Sequence, residues 1–142
     1  MEIRRAMLSD ADSICALNEE ELGYSFSKKQ TKEQLDKLLL REDHCILVSC
    51  IDEQVIGYVH AVSYELLYSE PMKDILGIAV SHKWQKQGTG KALLKGIEDW
   101  AKQDQCCGVR LVSGEKRIEA HRFYEREGYV NGKRQCNFKK FF

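Results

Sequence analysis

The chain has 142 residues, with 22 Lys+Arg against 22 Asp+Glu, 43% hydrophobic residues, six cysteines and one proline. Balanced charge excludes a global field that would gather nucleic acid or anionic membrane, no apolar run approaches the ~20 residues of a bilayer span, and Met1–Arg5 lacks the apolar core of a signal peptide. The length suits one domain over residues 1–142, and cysteines without a Cys-Xaa-Xaa-Cys pair or a completing histidine spacing read as reduced thiols of a cytoplasmic chain with no metal site.

A short strand around Ile3 opens the chain. Ser9 or Asp10 caps a helix carrying Ala11, Ile14, Cys15, Asn18 and Leu22 on one face, and Gly23-Tyr24-Ser25 breaks it. Thr31-Xaa-Xaa-Gln34 reads as a capping box that opens a second helix, with Leu35, Leu38 and Leu39 buried. Cys45–Ile51 and Val55–Tyr64 read as strands joined by a hairpin at Asp52-Glu53-Gln54. Leu66–Met72, holding Pro71, reads as a loop.

The stretch from Ile75 to Gln103 carries the most information. Ile75, Leu76, Ile78 and Val80 form a short apolar run of the kind found in a buried strand. Leu93, Leu94, Ile97 and Ala101 then recur at helical spacing. Between them lies Gln85-Lys86-Gln87-Gly88-Thr89-Gly90-Lys91. The first amides of a helix lack intrahelical partners and carry the positive end of its dipole. Two glycines let an anion approach them, and two lysines add charge, so the segment suits a phosphate or pyrophosphate. It is not a Walker A loop, because Gly90-Lys91 is followed by Ala92, and it is not the dinucleotide fingerprint, because Leu93 stands where the third glycine belongs.

Beyond this, Val109–Ser113 reads as a short strand and Arg117–Glu127 as a helix stopped by Gly128. Tyr129 and Cys136–Phe142 read as the last strands. Strands and helices in this order give an α+β fold around a mixed sheet.

The pattern Gln-Xaa-Xaa-Gly-Xaa-Gly, with a strand before and a helix after, resembles the acetyl-CoA loop of the GNAT N-acetyltransferases. A second block, Ala120-His121-Arg122-Phe123-Tyr124-Glu125-Arg126-Glu127-Gly128-Tyr129, is similar to that family's Ala-Xaa-Xaa-Phe-Tyr-Xaa-Xaa-Xaa-Gly-Phe/Tyr segment. Its form is close to the bacterial small-amine acetyltransferases, including the aminoalkylphosphonate enzymes. The resemblance implies a single GNAT domain: a mostly antiparallel sheet of six to seven strands with splayed central strands, flanked by about four helices. It also implies acetyl-CoA as co-substrate, without a metal, and direct transfer to a primary amine of a small molecule in a ternary complex.

Residue by residue, the resemblance implies that coenzyme A pairs with main-chain groups of Ile78, Ala79 and Val80. Its diphosphate is held by Gln85, Lys86, Gln87, Gly88, Thr89, Gly90 and Lys91. Arg117 stands where many members have a cofactor-contacting Asn. Tyr124 matches the tyrosine beside the CoA sulfur, an acid for the departing thiolate. Asp74, six residues before Val80, holds the offset of a glutamate that is the general base in some members. Tyr24 and Phe26 lie on the loop bordering the acceptor pocket. Dimers are common in the family, and Phe138, Phe141 and Phe142 would suit such a contact. Rival readings are a non-catalytic acyl-CoA-binding regulatory module, or acetylation of protein amines or aminoglycosides.

Overall fold

Gly23, at φ 75°, turns the chain out of its first long helix, a left-handed conformation that costs glycine little. The computed structural model describes residues 1–142. In order, they form β1 (Glu2–Arg5), a 3-10 turn (Leu8–Asp10), α1 (Ala11–Leu22), α2 (Lys28–Leu39), β2 (His44–Ile51), β3 (Gln54–Leu66) and β4 (Ser69–Val80). A second 3-10 turn (His82–Trp84), α3 (Thr89–Gln103), β5 (Gly108–Leu111) and α4 (Ile118–Arg126) follow. Two compact units are present, Met1–Leu111 and Val112–Phe142. No helix is long and apolar enough to cross a membrane.

The first unit is a five-stranded sheet in the order β1-β2-β3-β4-β5, antiparallel except for the parallel β4–β5 pair. Side chains alternate across a strand. On β2, Ile46, Val48 and Cys50 join Ala11, Ile14, Leu17 and Leu35 in a core beneath α1 and α2. Cys45, Leu47 and Ser49 point to the other face, where α3 buries Leu93, Leu94, Ile97 and Trp100. A sheet covered on both faces explains why β2 runs apolar through consecutive residues from Cys45 to Val48.

Lys73 is buried on the α3 face. Its Nζ donates to Asp104 Oδ2 at 2.6 Å and Ser63 Oγ at 3.0 Å, and it lies 3.7 Å from the Trp100 ring centroid. Removing one partner of a fully buried pair costs about 3–5 kcal/mol. Asp104 is half exposed, which places Asp104→Ala at the lower end of that range, about 3 kcal/mol. The expected readout is a urea midpoint displaced downward, with an unchanged denaturant slope.

Several sequence expectations are corrected. Helix α2 begins one turn early, capped by Ser27, whose Oγ accepts from the Gln30 amide at 3.0 Å. Thr31 is therefore inside the helix and donates to the Ser27 carbonyl, while Leu39 is exposed. Pro71 lies within β4. The β3–β4 register slips between Tyr64 and Leu66, so the proline sits at an irregularity where its missing N–H interrupts no ladder bond. The hairpin after β2 turns on Asp52 and Glu53 alone, both with positive φ, as a two-residue turn between right-twisted strands requires.

The second unit contains α4 and no strand, so the sheet has five strands rather than six or seven. Val130, Phe138, Phe141 and Phe142 are all exposed. The tail mixes these apolar groups with Lys133, Arg134, Gln135, Lys139 and Lys140, without the strict alternation that would give a strand one buried face.

Candidate active site

Strand β4 pairs with β3 along its length, from Leu66↔Ser69 to Gly57↔Val80. On its other side it pairs with β5 only from Met72 to Ile75. The β5-side edge of Leu76–Val80 therefore has no strand partner. Gly77 pairs with His60 and Ile75 with Ala61, which leaves Leu76 as an extra residue at a bulge. The expected splaying of the central strands is thus visible on β4, and it includes Ile78, Ala79 and Val80.

Val80 leads directly into the glycine segment. Gly88 caps α3 at φ 88°, and Lys86 is also left-handed at φ 60°, an uncommon state for a residue with a side chain. The first helical bond is the Ala92 amide to the Gly88 carbonyl at 3.0 Å. The amides of Thr89, Gly90 and Lys91 consequently have no upstream carbonyl in the helix. Lys86 and Lys91 are exposed on either side.

The polar side chains of this loop serve the loop itself. Gln85 Nε2 donates to the Val80 carbonyl at 2.9 Å and to Glu21 Oε2 at 3.4 Å. Gln87 Nε2 donates to the Lys83 carbonyl, and Thr89 Oγ1 to the Trp84 carbonyl. Glu21, near the end of α1, also accepts from the His82 amide and contacts the His82 ring, each at 2.9 Å. What remains for an anion is the main chain of the helix start and two lysine ammonium groups. Glu21 was not legible as a loop anchor, because nothing local links it to a segment more than sixty residues away.

At the opposite end of the open edge, two residues from Leu76 and so about 7 Å along the strand, lies Asp74. Arg110, its neighbour in the β4–β5 register, donates from Nη1 to Asp74 Oδ1 at 2.9 Å. Burial pushes the Asp74 carboxyl above its ordinary range, and the Arg110 charge and hydrogen bond oppose this. The Arg110 guanidinium carbon stands 4.3 Å from the Tyr64 ring centroid. Sequence reading passed over Arg110, whose only local signal is a charge between Val109 and Leu111 on a short strand.

The same face of the sheet carries two further polar contacts. His44 Nδ1 and His60 Nε2 are 2.8 Å apart, and burial, aided by His44, lowers His60 to about 4. The imidazole of His60 is therefore neutral at physiological pH. The Tyr58 hydroxyl donates to Asn18 Oδ1, and burial raises this phenol to about 12. Asn18 thereby ties α1 to β3 beside the exposed loop that holds Tyr24 and Phe26, which are 64% and 47% exposed.

In the second unit, Arg117 is the exposed N-cap of α4. His121 Nε2 donates to the Gly114 carbonyl at 2.8 Å, so it holds the preceding turn. Tyr124 is buried. Its phenol is pushed up by burial, which the charge of Arg117 opposes.

A family model described as the acetyltransferase (GNAT) family matches residues 11–129. An aminoalkylphosphonate N-acetyltransferase of Salmonella typhimurium is 28% identical over 129 residues, covering 90% of this chain and 84% of that protein. Streptothricin acetyltransferase A of Bacillus subtilis is 36% identical over 55 residues, so the match spans 39% of this chain and about a third (32%) of that protein. Among solved structures, an aminoglycoside N-acetyltransferase, AAC(6')-Iy, in complex with CoA superposes with a TM-score of 0.88 at 15% identity, covering 98% of this chain and 93% of that one.

Proposed function

The chain belongs to the acetyltransferase (GNAT) family and is an N-acetyltransferase, and from that premise we propose that it transfers the acetyl group of acetyl-CoA directly to a primary amine of a small molecule. Residues 1–142 act in this reading as one such domain, in the cytoplasm. The observation that carries it is the continuity of β4: an unpaired edge from Leu76 to Val80 ends in a helix start with available amides.

An extended pantetheine arm can hydrogen-bond to such an edge as an added strand does. The amides of Thr89, Gly90 and Lys91, with the Lys86 and Lys91 side chains, fit a diphosphate. Each hydrogen bond to a charged oxygen is worth about 1.5–3 kcal/mol, so three exceed the dipole's ~0.3–1 kcal/mol. This ligand direction brings the acyl end to Leu76, close to Asp74. There the amine nitrogen forms a bond to the acetyl carbon as the carbon–sulfur bond breaks. The electron pair leaves on sulfur, which takes up a proton, while the nitrogen gives one up. Asp74 is the candidate acceptor of that proton and Tyr124 the candidate donor to sulfur. Arg117 is an additional candidate contact for cofactor phosphate, and Tyr24 and Phe26 for the acceptor.

The test is release of free thiol from acetyl-CoA in the presence of an amine panel spanning aminophosphonates, polyamines and aminoglycosides. Saturable, amine-dependent release is expected. Tight CoA binding without release to any amine would favour a regulatory acyl-CoA module instead.

A further inference from the structure

The acceptor end of β4 carries a feature that transfer to a plain alkylamine does not require. Asp74 and Arg110 meet through a single hydrogen bond, Nη1 to Oδ1. Asp74 Oδ2 and the remaining N–H groups of the guanidinium have no partner in the protein. Both side chains remain accessible, at 16% and 26%. Tyr64 supports the guanidinium against its ring, which fixes the plane and leaves the N–H edge as the part available to a ligand.

A pair built for stability would be bidentate, because partial burial strips water from two charges and a single hydrogen bond returns little of what is lost. A site built for polycations would not keep an arginine beside its carboxylate. The arrangement instead matches a molecule that itself carries both charges: an ammonium meets the open carboxylate oxygen, and an oxyacid group meets the open guanidinium edge, where planar N–H pairs fit phosphonate, phosphate or carboxylate.

We propose that the Asp74–Arg110 pair selects amines bearing an anionic oxyacid group near the reacting nitrogen, with Arg110 setting the acceptor class. The proposal rests on the transferase reading above. Arg110 is a binding residue here, and its signature is a change in preference rather than a uniform loss of rate.

The experiment compares kcat/KM for 2-aminoethylphosphonate, propylamine and 1,3-diaminopropane in the wild type, Arg110→Gln and Arg110→Lys. The phosphonate is expected to lead by tenfold or more. Arg110→Gln is expected to shrink that lead at least tenfold, mainly through KM, with Arg110→Lys intermediate because it keeps charge without the planar fork. A lead for the diamine, or equal losses on all three amines, overturns the inference while leaving the transferase reading intact. Should no amine turn over, calorimetry with 2-aminoethylphosphonate decides. Binding that weakens tenfold in Arg110→Gln upholds the selective pair although transfer has failed. No binding, or binding indifferent to Arg110, overturns it.

Discussion

Asp74→Asn is expected to lower kcat/KM for amine acetylation by about 10²-fold or more and to erase the acidic limb of the pH–rate profile. An ordinary aspartate near 3.9 and an alkylammonium near 10 differ by about six pH units, roughly 8 kcal/mol at 1.36 per unit, too wide a gap for efficient direct proton transfer. The structure narrows it from the carboxylate side. Burial raises Asp74, and Arg110 opposes without reversing the shift. The sign follows directly. Only the ionised carboxylate accepts a proton, so the rate contributed by Asp74 is present above its folded-state pKa and lost as pH falls through it. A raised pKa moves that loss upward from the ordinary carboxylate range. The asparagine variant keeps size and polarity but cannot titrate. A variant whose kcat/KM retains both its magnitude and its acidic limb would remove Asp74 from the base role.

The same residue shows what could be read from the sequence. The offset of Asp74 from Val80 and the glycine segment after it are local patterns, and local patterns were legible: Leu93, Leu94, Ile97 and Ala101 of the α3 periodicity are all buried, joined by Thr89 and Trp100. Non-local pairing was not. Arg110 reaches Asp74 across 36 residues only because β4 and β5 run parallel in one register. Pro71 is admitted to a strand by an irregularity opposite it on β3, between Tyr64 and Leu66, which exists only once the two strands are paired. The start of α2 was ambiguous for another reason: Ser27-Xaa-Xaa-Gln30 and Thr31-Xaa-Xaa-Gln34 are both capping boxes on paper. The helix starts at the earlier one, where the Ser27 Oγ accepts from the Gln30 amide, and Thr31 and Leu35 are its buried residues. Side-chain direction was also beyond reach. Gln85, Gln87 and Thr89 match a cofactor motif by position, yet their side chains bond to the loop's own carbonyls.

Tyr124→Phe is expected to reduce kcat by about 10²-fold, the lower range for removal of a positioned proton donor, with acetyl-CoA affinity unchanged. A phenol near 10 lies above a thiol near 8.5, and burial raises Tyr124 further despite Arg117. The hydroxyl therefore stays protonated at neutral pH, ready to donate to a forming thiolate. The substitution leaves the rest of the residue in place. The ring packs 5.3 Å from Phe123 and 6.1 Å from Tyr129, centroid to centroid, and a phenylalanine preserves both contacts. A packing role would accordingly move the melting temperature little and kcat not at all. A donor role moves kcat alone, and most strongly for poorly leaving thiols. Steady-state rates alongside calorimetric CoA binding separate the two. Full turnover in the phenylalanine variant would mean that sulfur draws its proton from water, and Tyr124 would then be a core tyrosine of α4.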